Sequence, residues 1–368
     1  MFPAAHPAPE PPANPMPQLQ QPLPDGPLDL IGDVHGEIDA LRALLHKLGV
    51  DLGRGTVRRK LVFLGDLVDR GPDSIAVVQL VQRLVELGHA QVVLGNHELN
   101  LLRGQNKDGS GWFHGNADER AQTADGPGAR YDARVATQAE RAEALAFFRQ
   151  LPLVVARPDL VVAHACPDPA AVAQLPEHAD VIDWHTARAA QIAEDAKRSG
   201  LAARAEPQRA LYAAVTPATI NDGQFAALVE FDLAKQLGNP VKVLTSGQEQ
   251  AADHGKPLVH VGGKFRIVQR TNWWQSWSGA QAAVVGHYWR QRDEAASAKC
   301  PFWQYGRFGW VNRVFCVDYS VGRRFVERAN GHVPSRVGLA ALRWPERTLV
   351  FDDVGPADGV PTTGFGPA

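Results

Sequence analysis

The chain has 368 residues and a mass of 39.9 kDa, and its 38 Lys and Arg against 40 Asp and Glu give a formal net charge of -2. This balance argues against a strongly basic nucleic-acid-binding protein, and 45% hydrophobic residues exclude wholesale disorder. No stretch approaches the roughly 20 apolar residues of a membrane-spanning helix, and three distant cysteines argue against a disulfide framework. These features predict a cytoplasmic protein without a membrane partner.

The N-terminal segment, residues 1–27, holds ten of the 27 prolines, interleaved with Ala and Gln. Each proline fixes its φ and removes a backbone donor, and few large apolar groups are present to offset the entropy of ordering. The segment is therefore predicted to be a flexible lead-in. One domain is predicted over residues 28–354, followed by a flexible tail at 355–368.

Three strand-loop-helix units are predicted in a row. Their strands are the short apolar runs Leu28–Ile31, Leu61–Leu64 and Gln91–Leu94. A first helix is predicted over Glu37–Leu48, where apolar residues recur on one helical face, and a second begins after Asp73 and Ser74, which can cap it. This alternation is typical of β-α-β construction and predicts an α/β fold.

Further core strands are predicted at Leu160–Ala163, Ala282–Val285 and Val314–Val317. The interval of about residues 167–279 is richer in Ala, Gln and charge, and strand-like segments resume after it. We therefore predict an inserted helical cap within one domain, and not a separate domain.

Polar residues directly follow five of these strands. They are Asp33, His35, Asp66, Asn96, His164 and His287. In an open α/β sheet, ligands bind beyond the carboxyl ends of the strands, so these side chains are predicted to converge. A single Gly-Asp or His after a strand is usually a turn or a structural residue, but turn chemistry does not explain five such events together.

The predicted set combines hard oxygen and borderline nitrogen ligands without a thiolate, which suits Mn²⁺, Fe or Zn²⁺. It contains more ligands than one ion needs. Two ions about 3.5–4 Å apart would share a bridging carboxylate and polarise one water between them. Asp66 is the predicted bridge.

Three motifs, Gly32–Gly36, Gly65–Gly71 and Gly95–Glu98, are followed in order by His164 and His287. This set resembles the calcineurin-like metallophosphoesterase superfamily over about residues 28–316. Within it, the second and third motifs resemble the phosphoprotein-phosphatase branch, which includes bacterial serine/threonine phosphatases and symmetrical dinucleoside tetraphosphate hydrolases. The resemblance implies a four-layered αββα sandwich.

The resemblance also implies a role for each site residue. It assigns Asp33, His35 and Asp66 to one metal ion, and Asp66, Asn96, His164 and His287 to the other, with Mn²⁺ preferred. His97 resembles the family's general acid, oriented by Asp69, and Arg70 resembles the arginine that grips phosphate. These residue types suit those roles, because a carboxylate keeps an imidazole oriented and protonated and a guanidinium offers a fork to phosphoryl oxygens.

The implied function is hydrolysis of a phosphate ester or anhydride by direct attack of a metal-bridging hydroxide. The substrate would be a phosphoprotein, a nucleotide or another small phosphorylated molecule. The alternatives are a dinucleoside tetraphosphate hydrolase specifically, or a phosphodiesterase or nuclease, which the near-neutral charge disfavours. A non-catalytic scaffold is the last alternative, although such proteins lose metal ligands and this sequence keeps all six.

Two positions depart from the family pattern and alter the predicted pocket wall. Cys166 stands where glycine is common, and Tyr288 and Trp289 stand where a small residue is more usual. Free cysteines are most often inert core residues, which is our interpretation of Cys166. Six of the nine tryptophans lie from Trp273 to Trp310. They form either a substrate wall that stacks on a nucleobase or, as we favour, part of the core.

Overall fold

The structure is a computed structural model that describes residues 16–123, 126–213, 224–252, 260–261, 264–292, 302, 308–331 and 336–365. Residues 1–15 of the predicted lead-in and 366–368 of the predicted tail lie outside the described residues. The strands are β1 (Gln20–Pro22), β2 (Leu28–Ile31), β3 (Lys60–Phe63), β4 (Ala90–Val92), β5 (Arg120–Thr123), β6 (Gly126–Arg130), β7 (Val154–Arg157), β8 (Leu160–Ala163), β9 (Glu249–Ala251), β10 (His260–Val261), β11 (Lys264–Phe265), β12 (Val268–Arg270), β13 (Ala282–Val285), β14 (Val314–Cys316), β15 (Ala340–Trp344), β16 (Thr348–Phe351) and β17 (Val360–Pro361).

The helices are α1 (Ile38–Lys47), α2 (Ser74–Glu86), α3 (Asn96–Leu102), α4 (Gly111–His114), α5 (Gln138–Arg149), α6 (Pro169–Val172), α7 (Val181–Arg198), α8 (Leu201–Ala213), α9 (Ala226–Leu237), α10 (Pro240–Ser246) and α11 (Arg324–Ala329). Short 3-10 helices lie at Trp273–Ser276 and Val321–Arg323. In the part of the chain that the structure describes, no helix is both long and apolar enough to cross a membrane.

Two sheets carry the core. The six-stranded sheet has the order β17-β16-β15-β2-β3-β4, in which β2, β3 and β4 run parallel and β15 pairs antiparallel with β2. The five-stranded sheet has the order β1-β7-β8-β13-β14, in which β8, β13 and β14 run parallel. The carboxyl ends of the parallel strands within each sheet therefore lie along one edge of that sheet.

The two sheets pack face to face, with helices on their outer faces. Leu30 of β2 belongs to one buried cluster with Val162 of β8 and Val284 of β13, so this cluster lies between the sheets. The next residue, Ile31, points to the opposite face and belongs to a second cluster with Leu41 of α1. The fold is therefore α/β with the αββα layering that the resemblance implies.

The sequence patterns located most of the central elements. Strands β2, β8 and β13 begin and end where predicted. Helix α2 also begins as predicted, because the side chain of Asp73 accepts a hydrogen bond from the amide of Ala76 at 2.9 Å. Strand β4 ends two residues earlier than predicted. The amide of the following residue, Val93, still donates to Phe63, but that of Leu94 donates instead to Pro152 of a different segment.

The chain ends differ from the predicted flexible segments. Within the lead-in, β1 pairs in parallel with β7 and forms the edge strand of the five-stranded sheet, and the flanking Leu19 and Leu23 are buried. Pro22 is tolerated because an edge strand does not need every backbone donor. Within the tail, β17 pairs with β16, and the ring of Phe365 lies 4.8 Å from that of Trp310. The apolar side chains at both chain ends are too sparse to give a periodic pattern in the sequence. They nevertheless pack against the sheets and order the described parts of both ends.

Deleting residues 1–27 is expected to lower the free energy of unfolding by roughly 3 kcal/mol, because Leu19 and Leu23 lose their burial and β7 loses its partner. Urea denaturation would measure the change. The matched control is deletion of residues 1–15, which retains both leucines and is expected to keep the midpoint of the full chain. Equal midpoints for the two deletions would contradict a stabilising role of β1.

The chain between β8 and β13 is mostly helical where it is described, and it contains α6 to α10 and the short strands β9 to β12. Helices α7, α8 and α9 form a small cluster of their own through Ala196, Leu201, Ala205 and Phe231. Strands β8 and β13 are parallel neighbours, so this interval is one long crossover connection. Its assignment as an inserted cap at 167–279 stays a prediction.

Candidate metal centre

The two sheets bring six polar side chains together at the carboxyl ends of five strands. Asp33 and His35 follow β2, Asp66 follows β3, Asn96 begins α3 after β4, His164 follows β8, and His287 follows β13. The carboxylates and imidazoles among them are each at most 7% exposed. Burying so many ionisable groups together is costly unless they are paired or bind a cation.

The carboxylate of Asp66 lies between the histidines. Its Oδ2 is 3.2 Å from His164 Nε2, 3.8 Å from His97 Nε2 and 4.0 Å from His35 Nε2. Two groups of possible ligands share this carboxylate: His35, Asp66 and His97 form one, and Asp66, His164 and His287 form the other. In each group the ligand atoms all lie within 4.8 Å of one another. A carboxylate common to two such groups can bridge two cations.

Asn96 and Asp33 complete the arrangement. Asn96 Oδ1 lies 3.1 Å from His164 Nε2 and 2.8 Å from His287 Nδ1. Asp33 Oδ2 accepts a hydrogen bond from the backbone amide of His287 at 3.2 Å and lies 4.0 Å from His35 Nε2. Each of the six predicted ligands therefore has a side-chain atom within 4.0 Å of another member of the set.

The backbone fixes the orientation of two of the histidines. His35 donates from Nδ1 to the carbonyl of Val68 at 3.0 Å, and His164 donates from Nδ1 to the carbonyl of Leu64 at 2.6 Å. Each ring consequently turns its Nε2 toward Asp66. Hydrogen bonds from the ring nitrogen that faces away from the ligand centre are typical of metal-ligating histidines, because they set the tautomer and the ring plane.

Glu98 holds the loop that carries Asp66. Its carboxylate accepts hydrogen bonds from the amides of Asp66, Leu67 and Gly95 at 2.7 to 3.0 Å. Burial, together with the negative charge of Asp66, raises the pKa of Glu98 to about 7. The sequence motif contained Glu98 but gave it no role, and the structure makes it a support for the central carboxylate.

Close backbone packing leaves no room for a side chain at two glycines of the centre. A Cβ at Gly95 would lie 2.3 Å from both the amide nitrogen and Oδ1 of Asp66, and one at Gly286 would lie 2.1 Å from Asp33 Oδ1. The residues His35, Asp66 and His287 themselves adopt positive φ values of 47°, 48° and 66°. Such conformations are unfavourable for non-glycine residues and cluster at functional sites.

The electrostatics of the centre are dominated by burial and by Asp66. Burial alone would raise the pKa of Asp66, but the charges of His164 and His97 lower it well below its usual range. Burial likewise opposes protonation of His164, yet the charge and hydrogen bond of Asp66 raise the pKa of His164 to about 10. The mutual attraction of Asp66 and His164 thus lowers the pKa of the carboxylate and raises that of the imidazole.

A further buried carboxylate, Asp318, lies near Asp33 and was missed from the sequence. Burial first, and the charge of Asp318 second, raise the pKa of Asp33 well above its usual range. Burial raises the pKa of Asp318 itself to about 6. Asp318 comes two residues after β14. A search for polar residues just after the predicted strands, which identified the other candidate residues, would therefore also have found it.

His97 and Asp69 form a hydrogen-bonded pair. His97 donates from Nδ1 to Asp69 Oδ2 at 2.5 Å, and Trp112 Nε1 donates to Asp69 Oδ1 at 2.6 Å. Burial opposes protonation of His97, but the charge of Asp66 and the hydrogen bond to Asp69 raise its pKa above the ordinary value. Trp112, which the sequence analysis did not single out, therefore fixes the carboxylate that orients the imidazole.

Arg70 extends over this pair from a strained segment of backbone. Asp69 and Arg70 have φ values of 75° and 70°. The guanidinium donates to His35 Nε2 at 3.0 Å and to His97 Nε2 at 3.2 Å. It thereby occupies the side of both imidazoles that faces the centre, where a forked donor can meet phosphoryl oxygens.

The donor set fits divalent cations. Asp66 Oδ2, Asn96 Oδ1, His164 Nε2 and His287 Nδ1 are acceptor atoms that face one another, and a shared cation would satisfy them together. His287 Nε2 is buried and has no hydrogen-bond partner among the described residues. All of these donors are oxygen or imidazole nitrogen, which is the ligand chemistry of Mn²⁺, Fe and Zn²⁺ sites.

The placement of His97 differs from the division of ligands implied by the resemblance. His97 shares a group with His35 and Asp66, whereas the resemblance gives that place to Asp33. The reason is that Asp69 binds Nδ1 of His97 and turns Nε2 toward Asp66. The assignment of His97 as an acid and of the other six residues as ligands stays a prediction.

Some of the residues at the two unusual wall positions, and some of the tryptophans, are buried in the core, whereas others are exposed. Cys166 is 1% exposed and belongs to the same hydrophobic cluster as Ile31 and Leu41. Its burial raises the pKa of its thiol. Trp273, Trp274 and Trp310 are also buried, which agrees with the core interpretation. Trp277 is half-buried, Trp289 has 45% of its surface exposed, and Trp303 lies outside the described residues.

Comparisons with known proteins place the first half of the site in a family. Residues 26–174 match the family model described as Calcineurin-like phosphoesterase. The chain is 48% identical over 80 residues to the asymmetrical bis(5'-nucleosyl)-tetraphosphatase PrpE of Oceanobacillus iheyensis, covering 21% of this chain and 32% of that protein. It is 49% identical over 73 residues to the symmetrical bis(5'-nucleosyl)-tetraphosphatase of Photorhabdus laumondii, covering 20% and 24% of the two chains.

The chain thus matches about a third or less of the length of these curated relatives. A solved structure of a cold-active protein-tyrosine phosphatase from a psychrophilic Shewanella covers 90% of this chain and 81% of its own, with 17% identity and a TM-score of 0.40. The family match includes four of the five strand ends that build the centre, those of β2, β3, β4 and β8. Residues 26–174 of the chain are therefore similar to the calcineurin-like phosphoesterase family, and the three sequence motifs lie within this matched segment.

Proposed function

We propose that the protein is a metal-dependent phosphatase that hydrolyses phosphate esters or anhydrides with two divalent cations at the described centre. The observation that carries this proposal is the Asp66 carboxylate shared by two groups of histidines. A structural role alone would not require four other buried ionisable ligands around the Asp66 carboxylate.

Asp33, His35 and Asp66 would hold one cation, and Asp66, Asn96, His164 and His287 would hold the other. When bound, the cations would activate the attacking water and neutralise charge on the phosphoryl group. Mn²⁺ is preferred for a set of carboxylate, amide and imidazole donors, and Fe and Zn²⁺ suit the same donors.

Arg70 and His97 would act on the substrate directly. The fork of Arg70 binds two phosphoryl oxygens, and this draws its guanidinium away from His97 Nε2. His97 Nε2 is then free to carry a proton to the leaving oxygen, while Asp69 holds Nδ1 and keeps the ring oriented. The raised pKa of His97 favours the protonated form that an acid needs.

The substrate class is a small phosphorylated molecule, with a nucleotide favoured and a phosphoprotein as the competitor. The two curated relatives with the matching segment are named for bis(5'-nucleosyl)-tetraphosphate hydrolysis, which supports a nucleotide. The near-neutral net charge does not favour a nuclease, because a polyanion needs a basic surface.

The proposal is tested by measuring bound metal and phosphate release on the same preparation. We expect about two Mn²⁺ per chain and metal-dependent hydrolysis across a panel of phosphopeptide, nucleotide, dinucleoside polyphosphate and phosphodiester substrates. A folded, metal-loaded protein that turns over none of them would favour the non-catalytic scaffold and would overturn the assignment of activity.

A further inference from the structure

Trp289 is a solvent-exposed tryptophan beside the candidate centre. Among the residues that the structure describes, it is the sole aromatic side chain among the exposed large hydrophobic ones, with 45% of its surface accessible. Tryptophan carries the largest apolar surface of any side chain, so leaving it in water forgoes much stabilisation. The neighbouring tryptophans Trp273 and Trp274 are buried at 6% and 0% exposure.

The backbone that presents Trp289 lies between two buried residues. Tyr288 on one side is fully buried and accepts a hydrogen bond from Trp273 Nε1 at 2.9 Å. Arg290 on the other side is 1% exposed and lies over the rings of Phe315 and other aromatic residues, with Cζ 4.8 Å from the Phe315 centroid. Two anchored neighbours hold the backbone of Trp289 in place, while 45% of the surface of Trp289 itself is exposed.

The indole also lies beside the phosphate-binding group of the proposed centre. Arg70 Cζ lies over the Trp289 ring, 5.8 Å from its centroid. The same guanidinium touches His35 and His97. Trp289 is two residues beyond His287, so one short segment supplies a proposed ligand and an aromatic surface at the mouth of the site.

We infer that Trp289 is the stacking platform for the nucleobase of a nucleotide substrate, an inference that rests on the proposed function. A base would stack on the indole while Arg70 binds the phosphate attached to the same nucleoside. Every base offers a π face, so such a platform selects nucleotides over base-free phosphates without selecting one base.

A nucleobase fits this position better than the ring of an aryl phosphate such as phosphotyrosine. Arg70 lies over one face of the indole, with Cζ 5.8 Å from the Trp289 ring centroid. An incoming ring must therefore stack on the part of the indole that Arg70 does not cover. The ring of an aryl phosphate is joined to phosphorus through a single ester oxygen, so it reaches less far from a phosphate held by Arg70 than a nucleobase does. A ribose between phosphate and base supplies the missing length.

Kinetics on a matched pair of substrates test the platform. Diadenosine tetraphosphate and inorganic tripolyphosphate share the phosphoanhydride, but only the first carries a base. Trp289→Ala is expected to raise KM for the dinucleotide roughly ten- to a hundred-fold and to leave KM for tripolyphosphate unchanged, while Trp289→Phe restores most of the affinity. Leu237→Ala is the control, because Leu237 is an equally exposed side chain at the end of α9.

Equilibrium dialysis of labelled diadenosine tetraphosphate separates this inference from the proposed activity, since it needs no turnover. Weaker binding by Trp289→Ala than by the wild type and Leu237→Ala would support the platform even if neither substrate were hydrolysed. Unchanged dinucleotide binding, or an equal rise in KM for both substrates, would overturn it. A wild-type protein that hydrolyses tripolyphosphate but does not bind the dinucleotide would also overturn the platform and leave the hydrolase proposal intact.

Discussion

The substitution Asp66→Asn is expected to reduce turnover by at least about 10³-fold, more than the loss of a single hydrogen-bond donor costs at a typical active site. The carboxylate is common to both groups of ligands, so its replacement removes a charged oxygen from each proposed cation. Bound Mn²⁺, measured by mass spectrometry after dialysis, should fall from about two ions per chain to less than one. The side-chain shape is kept, so the change isolates the charge.

Asp39→Asn provides the matched control for that experiment. Asp39 lies in α1 with its side chain 91% exposed, and the same chemical change there should leave metal content and turnover at wild-type values. Thermal melting of both variants would confirm that the fold is intact. Full activity in the Asp66→Asn protein would refute the two-cation centre.

The substitution His97→Ala is expected to lower turnover by about 10²- to 10⁴-fold while the metal content stays at the wild-type value. This combination separates an acid from a ligand, which matters because His97 Nε2 lies only 3.8 Å from Asp66 Oδ2. A loss of metal together with activity would instead make His97 a ligand. The effect should be smallest for substrates whose leaving group needs no proton.

The pH dependence of turnover provides a second test of the role of His97. The negative charge of Asp66 and the hydrogen bond to Asp69 raise the pKa of His97, despite its burial. The acid form is present below that pKa, so turnover should fall as the pH rises through it. Replacing Asp69 by Asn removes a negative charge, so this alkaline limb should move to lower pH. An unmoved limb would show that another group limits the rate at high pH.

Short-range patterns predicted the candidate site residues, because the chemical type of a residue and the end of a strand are both properties of neighbouring positions. The runs before Asp33, Asp66 and His164 are apolar and short, and a glycine or small residue lets the chain turn there. Buried parallel strands place such turns at one edge. The same local logic could have included Asp318 after β14, which burial and proximity to Asp33 make part of the centre.

Other features depend on contacts between distant segments and have no local signal. Trp112 lies 43 positions from the Asp69 carboxylate that it binds, and nothing around it in sequence indicates that contact. The edge strand β1 forms in a proline-rich segment only because β7 offers an unpaired edge and a hydrophobic cover for Leu19. The local composition of the proline-rich segment favours disorder, but β1 is ordered because Leu19 is buried and the strand pairs with β7.

The sequence by itself determined the family motifs, the central strands and the chemical types of the ligands, because strand periodicity and ligand chemistry are properties of neighbouring residues. Only the tertiary structure decided that Asp66 is shared by two groups of histidines, that His97 faces it, and that Trp289 stands exposed beside Arg70. Those relations join residues from separate loops, and their distances are set by how the two sheets pack against each other.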